Sequence, residues 1–145
     1  DNCLIHGDLC FSNIFCDFKN KNFKLIDPRG KWGSTMFGDL KYDVAKLRHS
    51  VVGGFDTITN GLCTASISEG NHIAMKIFEP KNHQEVSKYL DELIQNQWNL
   101  NEIKLIEGLL FISMLPLHKD HFERQLAFYS IGIQRLNEVL DKTSE

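Results

Sequence analysis

The sequence predicts an α+β domain that is mainly helical and carries a β-hairpin near its N-terminus. Its 145 residues are 42% hydrophobic, which is the size and composition of one ordinary domain with a single core. Two short segments rich in β-branched and aromatic residues, 14–17 and 23–27, flank the polar stretch 18–22. This pattern favours an antiparallel hairpin. From Asn82 onward, apolar residues recur at helical spacing.

The hairpin predicts which side chains lie close together. If Asp17 pairs near Asn22 or Phe23, each step back along one strand matches a step forward along the other. Asn13 then lies beside Ile26 or Asp27. Two polar side chains distant in sequence are thereby expected to meet.

A loop from Pro28 to about Gly38 is expected to lead into a helix capped by Asp39. The helix should bury one apolar stripe and end at the glycine pair 53–54. The stripe consists of Leu40, Val44, Leu47 and Val51. The following stretch, 57–78, leaves two alternatives open: a second hairpin of 62–68 and 73–78, or irregular helix.

Three more helices are expected in the C-terminal half. The first carries an apolar stripe between Val86 and Trp98. Asn99 with Glu102 predicts a capping box for the second, which should end before Pro116. The third should begin at Asp120, with Glu123 completing its capping box, and its apolar spacing continues to residue 140.

Charge and cysteine content narrow the classes of partner. The net charge of −3 supplies no basic field for nucleic acid or an anionic membrane. The longest apolar run, 108–117, is far shorter than the ~20 residues that span a bilayer. Four cysteines without a CxxC pair indicate reduced thiols in a cytoplasmic protein. A zinc set is disfavoured because the spacing fits no common structural site; its members would be Cys3, His6, Cys10 and Cys16.

The stretch HGDLCFSN, residues 6–13, carries the chemistry that stands out most. A carboxylate such as Asp8 can orient a hydroxyl and accept its proton. An Asn oxygen and a second carboxylate, from Asn13 and Asp27, can hold Mg²⁺, which prefers oxygen ligands. These groups are the minimum that a phosphoryl-transfer site needs from the protein.

The ordering of three segments resembles a known family. His6-Gly7-Asp8 followed by Asn13 matches the HGDxxxxN loop of the aminoglycoside phosphotransferase and choline kinase-like enzymes. The segment 25–27, Leu-Ile-Asp, is similar to their metal-binding segment. The segments 38–39 and 42–45 are similar to the GDxxYDLA helix that follows. The ordered set is much more specific than any one segment.

The resemblance implies a role for each matching residue. Asp8 would be the catalytic base, and Asn13 and Asp27 would ligate Mg²⁺ bound to ATP. His6 would hold the loop in shape, and Asp43 would reach from its helix to hydrogen-bond the loop. Residues 1–145 would form a single kinase-like C-terminal lobe, with the N-terminal nucleotide-binding lobe lying outside this chain. The chain alone would then turn over little or nothing.

Each residue also has a purely structural interpretation. Taken singly, Asp8 is interpreted as a turn-forming residue and Asn13 as the residue at which a strand begins. For Asp39, an N-cap is favoured over any ligand role. A solvent-facing Arg29 is at least as good an interpretation as a phosphate-neutralising one, and metal binding by the pair His118 and His121 is disfavoured. The Trp and Phe residues are expected in the core rather than at a substrate; Trp32 and Phe37, in the loop after residue 27, are the two with a substrate contact as the alternative.

Two departures limit the implied regulation. Pro28-Arg29 stands where protein kinases have Phe-Gly after the metal-binding Asp, so their mobile Phe switch has no equivalent. The glycine at position 7 removes the arginine that they pair with an activation-loop phosphate. A protein kinase is a weaker alternative, because no APE-type segment and no Ser/Thr-rich activation loop follows Asp27. A catalytically inactive kinase-like scaffold is the other alternative.

The expected acceptor is a hydroxyl of a small molecule. A sugar, an amino alcohol or an aminoglycoside-like compound would each fit the family. The segments 24–30 and 38–54 are reminiscent of phosphotransferases of bacterial capsule and surface-polysaccharide biosynthesis. The sequence does not determine the acceptor, the choice of ATP or GTP, or the oligomeric state.

Overall fold

The computed structural model describes residues 2–31 and 33–141. About half of the chain is helical, and the strands form short two-stranded ribbons. The strands are β1 (Asn2–Leu4), β2 (Ile14–Asp17), β3 (Asn22–Leu25), β4 (Phe37–Asp39), β5 (Cys63–Ser68) and β6 (His72–Ile77). The helices are α1 (Leu40–Val51), α2 (Phe55–Thr59), α3 (His83–Gln95), α4 (Leu100–Met114) and α5 (Phe122–Leu140). The expected α+β class is confirmed at this level.

The N-terminal hairpin forms as predicted. β2 and β3 pair antiparallel, with Asp17 opposite Asn22 and Ile14 opposite Leu25. Beyond the last pair, the Ile26 N–H donates to the Asn13 carbonyl at 3.0 Å. The expected neighbourhood of Asn13 and Ile26 is therefore confirmed. A second ribbon joins β1 to β4, with Cys3 opposite Gly38, so the chain entering the 6–13 loop lies directly beside the start of α1.

Helix α1 begins where the sequence predicts, but the face that it buries is not the predicted one. The Asp39 side chain accepts from the Lys41 N–H at 3.0 Å, which confirms the N-cap. The predicted apolar stripe is wrong: its first residue, Leu40, is exposed, and only its last residue, Val51, is buried. The buried positions of α1 are instead mostly polar: Asp43, Ala45, Lys46, Arg48, His49, Ser50 and Val51. Their partners lie on other elements, which the periodicity of one helix cannot reveal.

Residues 62–78 form the hairpin alternative, with β5 and β6 paired from Cys63 opposite Ile77 to Ser68 opposite His72. The short helix α2 before it was not predicted. The Asn99 side chain caps α4 by accepting from the Asn101 N–H. The expected start of α5 at Asp120 is wrong by one residue, because His121 occupies the N-cap position without a side-chain cap.

The core consists of two buried clusters. One lies between α5, α4 and the β5–β6 hairpin and contains Ile58, Phe111 and Phe128. The other lies where α1, α3 and α4 meet and contains Ala45, Ile94 and Ile103. Helix α1 therefore has the helical layer on one side and the 6–13 loop on the other. Within the described residues, no helix is long and apolar enough to cross a membrane.

Candidate functional site

The 6–13 loop is fastened to α1 by one buried carboxylate. Asp43 accepts from the His6 N–H through Oδ2 at 2.6 Å and from the Gly7 N–H through Oδ1 at 2.7 Å. Both contacts are charge-assisted hydrogen bonds, which are stronger than neutral ones. The loop backbone is thus held in one position relative to the helix, as the inward-facing interpretation of Asp43 anticipated.

The His6 ring connects the loop to the hairpin. Its Nε2 lies 2.9 Å from the Ile26 carbonyl, and its Nδ1 lies 3.3 Å from the Asp8 N–H. The tautomer with hydrogen on Nε2 satisfies both contacts, because Nδ1 then accepts from the backbone. The ring therefore links the residue before Asp27 to the residue that carries the candidate base.

Gly7 is required by the backbone at this point. Its φ is +77°, in the left-handed region that favours glycine. A Cβ at this position would lie 2.9 Å from the Arg29 Cβ. The Arg29 N–H also donates to the His6 carbonyl at 2.8 Å. The glycine of the HGD triplet therefore allows the segment after Asp27 to pack against the loop.

Asn13 lies against Asp8 at the end of a 3₁₀ turn, Phe11–Asn13. Its Nδ2 donates to the Asp8 carbonyl at 2.9 Å and lies 3.3 Å from the Asp8 carboxylate. Since both neighbours are acceptors, the amide nitrogen must face them, which turns Oδ1 away. No donor from the described residues reaches Oδ1.

Asp27 follows Ile26 directly and is exposed. Its φ is +50°, an uncommon conformation that Asp tolerates better than most residues. Within the described part of the chain, its carboxylate has no hydrogen-bond or ion-pair partner. The hairpin thus brings the backbone of this residue next to Asn13, and its carboxylate remains available to a ligand.

These two oxygen donors fit Mg²⁺ better than a metal that needs a full protein cage. Mg²⁺ is usually bound by one or two carboxylates, with phosphate and water completing the shell. The described residues contain no group of three or more His, Cys, Asp or Glu side chains placed to hold a metal. Asn13 and Asp27 carry side-chain oxygens of the kind that Mg²⁺ prefers.

Lys46 is the site residue that sequence reasoning missed. Its Nζ lies 2.9 Å from Asp8 Oδ1, and its side chain is only 4% exposed. The ammonium also lies 5.2 Å from the centre of the Phe55 ring. A signal existed in the sequence: Lys46 is three positions after Asp43, so both project from the same face of α1.

Ser50 continues the polar row formed by Asp43 and Lys46. Its hydroxyl accepts from the Phe11 N–H at 2.9 Å and donates to the Asp56 carboxylate. Helix α1 therefore contacts the loop at three points. Asp43 holds its beginning, Lys46 pairs with the Asp8 carboxylate, and Ser50 holds its end.

A cavity of about 310 Å³ opens beside Asp8. Its walls include Asn13, Arg29 and Lys46, with Phe55, Met114 and Leu117 on the helical side. Asp27 does not line this cavity. The candidate base therefore faces a space large enough for a small ligand, with two cationic side chains around it.

The other singled-out residues lie in structural roles. His118 packs edge-on against Phe128, with ring centres 5.1 Å apart, and its Nδ1 lies 3.1 Å from an Arg124 guanidinium nitrogen. Burial and then the Arg124 charge lower the pKa of His118. Phe37 lines a separate cavity beside Tyr42. Trp32 lies outside the described residues.

The cysteines are free thiols. Cys10 and Cys63 are buried as expected, and Cys3 and Cys16 are partly buried. Burial is the largest of the effects that raise the pKa of the Cys63 thiol. Cys10 lines the cavity beside Asp8 and lies 3.1 Å from the Ser12 hydroxyl.

Comparison with known proteins yields no match to a family model, a curated protein or a solved structure.

Proposed function

We propose that this chain is the C-terminal catalytic lobe of an ATP- and Mg²⁺-dependent phosphotransferase. It would move the γ-phosphate to a hydroxyl of a small molecule. The observation that carries the proposal is the pairing of Asp8 with Asn13 beside an open cavity, on a loop held by Asp43 and His6. A loop that only turns the chain needs neither a buried asparagine nor two charge-assisted contacts.

Asp8 has the position of a base toward a hydroxyl in the cavity. It would orient the hydroxyl and accept its proton as the oxygen attacks phosphorus and the bond to the leaving nucleotide diphosphate breaks. Its carboxylate is 45% exposed, so a ligand can reach it. The Asn13 amide and the Lys46 ammonium would keep it directed into the cavity.

Charge neutralisation would come from the side chains around this carboxylate. Lys46 and Arg29 line the cavity and would face the phosphoryl group during transfer. Asn13 and Asp27 would hold Mg²⁺, which when bound neutralises phosphate charge and positions the nucleotide.

The wider assignment also belongs to this proposal. The order of the HGD loop, the Leu-Ile-Asp segment and the Gly-Asp helix start resembles the aminoglycoside phosphotransferase and choline kinase-like family, which implies a kinase-like C-terminal lobe. A cytoplasmic enzyme of capsule or surface-polysaccharide biosynthesis is the setting that resemblance favours. The N-terminal nucleotide-binding lobe that the resemblance implies would supply the glycine-rich phosphate loop, which is not identifiable in this sequence.

Two substitutions in the complete protein test the proposal. Asp8→Asn should lower phosphate transfer by at least about a thousandfold, because the base is lost. Its nucleotide affinity should stay nearly unchanged. Asp27→Ala should weaken Mg²⁺-dependent nucleotide binding about tenfold or more, because a metal ligand is lost. Transfer is followed by nucleotide diphosphate release over sugars, choline, ethanolamine and aminoglycosides.

The outcomes separate an enzyme from a scaffold. Wild-type turnover by the Asp8→Asn variant would contradict the assigned base. Nucleotide binding without transfer to any acceptor would favour the inactive kinase-like module. Asp17→Asn, on the exposed turn of the β2–β3 hairpin, is a matched control, because this carboxylate contacts only that turn.

A further inference from the structure

A second cavity adjoins the one beside Asp8. A space of about 430 Å³ lies along α4 and shares three wall residues with the first cavity: Arg29, Met114 and Leu117. Its remaining walls include Tyr42, Ile106 and Leu110. A molecule whose hydroxyl points at Asp8 would extend along α4 by passing the three shared side chains.

The described walls of both cavities are poor in negative charge. Asp8 is their one carboxylate, and the Lys46 ammonium already pairs with it at 2.9 Å. Arg29 contributes a second cation to both cavities. A cationic ligand would meet two like charges and no unpaired carboxylate, which opposes its binding.

Aromatic faces cannot supply the missing attraction for a cation. The Phe55 ring is already approached by Lys46 at 5.2 Å from its centre. The Tyr42 hydroxyl accepts from an Arg29 guanidinium nitrogen at 3.2 Å. The two rings do not form an aromatic cage of the kind that recognises amines: Lys46 lies near the Phe55 ring, and the Arg29 guanidinium at the Tyr42 hydroxyl would repel a second cation.

The second cavity instead offers an apolar wall with a few polar groups. Leucine, isoleucine and methionine side chains dominate it, and Ser113 adds a hydroxyl from α4. Apolar walls with few polar groups are typical of small-molecule sites. Such a wall suits a ring that has carbon–hydrogen faces and hydroxyl edges.

We propose that the two adjoining cavities form the acceptor site, and that they select an uncharged or anionic sugar against a cationic amino sugar or amino alcohol. This inference rests on the proposed function and narrows its acceptor class. Arg29 sets the selection, since its guanidinium lines both cavities.

The test uses three sugars matched in shape: methyl glucoside, its glucuronate analogue and its glucosamine analogue. In the complete protein, binding is measured from NMR shift changes at Ser113, Met114 and Leu117, and transfer from kcat/KM. The glucosamine analogue should bind at least about tenfold more weakly than the glucuronate analogue. Arg29→Gln should reduce that ratio severalfold. Lys88→Gln on α3, which lines neither cavity, should leave it unchanged.

A gain-of-binding variant guards against loss of folding. Ser113 is exposed, so Ser113→Asp adds a carboxylate to the wall at little structural cost. It should improve binding of the glucosamine analogue about tenfold relative to methyl glucoside. Equal or preferential binding of the glucosamine analogue by wild type, or no binding of any of the three sugars, would overturn the inference.

The two proposals can fail separately. If the glucuronate analogue binds more tightly than the glucosamine analogue, and Arg29→Gln reduces that difference, but no phosphate is transferred, the acceptor site is supported and the phosphotransferase activity is contradicted. If phosphate is transferred equally well to all three sugars, the enzyme stands and the charge selection does not.

Discussion

Helix α1 carries two buried cations whose carboxylate partners differ in solvent exposure. Lys46 and Arg48 are two positions apart on α1, and their side chains are 4% and 2% exposed. The carboxylate of Glu107, which pairs with Arg48, is fully buried, whereas Asp8, which pairs with Lys46, is 45% exposed. The first pair is closed to ligands, and the second is open to them.

The closed pair belongs to a network that joins four helices. Arg48 of α1 contacts Asp91 of α3 through two hydrogen bonds, at 2.8 and 2.9 Å. It also contacts Glu107 of α4, which lies 3.4 Å from Arg135 of α5. Every partner is a protein side chain, so the network fixes the helical scaffold. At the open pair, one side of the carboxylate is left for a ligand.

A third ionisable side chain on the same helix, His49, packs only against aromatic rings within the described residues. His49 is fully buried between Phe55 and Phe111, with ring centres 4.5 and 4.1 Å away. Neither ring nitrogen has a hydrogen-bond partner among the described residues. Burial, and then the charge of Lys46, lower the pKa of His49 well below its usual value. One helix therefore carries a closed pair, an open pair and an unpaired group.

The largest expected effect comes from breaking the closed pair. Glu107→Gln should lower the free energy of unfolding by about 1.5–3 kcal/mol, because the buried Arg48 loses one charged hydrogen-bond partner and keeps only Asp91. Urea denaturation followed by circular dichroism measures it. Glu102→Gln is the matched control on the same helix, because its contact with Lys41 is exposed and should contribute less than about 1 kcal/mol. Equal losses in both variants would contradict the distinction.

The next effect is a pH dependence from the unpaired histidine. Unfolded His49 binds a proton below about pH 6.5, whereas the folded form resists it. The unfolded state then holds more protons, so stability should fall as pH falls below about 6.5, by up to ~1.4 kcal/mol per pH unit. Denaturation series between pH 7 and 5 measure this slope. His49→Phe should flatten it, and His72→Gln, at an exposed position, should not; an unchanged slope in His49→Phe would assign the dependence elsewhere.

The smallest expected change in stability comes from the open pair. Lys46→Met keeps an apolar stem against Phe55 and leaves Asp8 hydrated. The free energy of unfolding should therefore change by less than about 1 kcal/mol. Arg48→Met, the same replacement two positions later, should cost several times more, because it leaves the buried Glu107 with only the longer contact to Arg135, at 3.4 Å. Urea midpoints of the two variants compare them directly. Similar losses would mean that the open pair is structural.

Local patterns predicted the parts of this fold that local chemistry determines. The β2–β3 register follows from strand composition and loop length, and the Asp39 and Asn99 caps follow from side chains next to a helix start. The pairing of β1 with β4 joins segments more than thirty residues apart, and no local signal encodes it. The five-residue helix α2 is too short for periodicity to reveal.

The candidate site was predictable where its residues form a motif. The order of the motif segments points to Asp8, Asn13 and Asp27, and the resemblance implies the contact of Asp43 with the loop. Lys46 was missed because a lysine on a helix is usually solvated. Its burial depends on the loop that Asp43 holds. The apolar stripe predicted for α1 failed for the same reason: its polar face is buried by distant partners.

The most direct test of the proposed function locates the proposed metal–nucleotide complex on the complete protein. Mn²⁺ replaces Mg²⁺ with bound nucleotide diphosphate, and paramagnetic broadening of NMR signals reports which residues lie near the ion. Broadening should be strongest at the Asn13 side-chain amide and at the backbone of Asp8 and Asp27, and weak in the β5–β6 hairpin. Broadening centred elsewhere, with the signals of these three residues unaffected, would contradict a shared metal–nucleotide site.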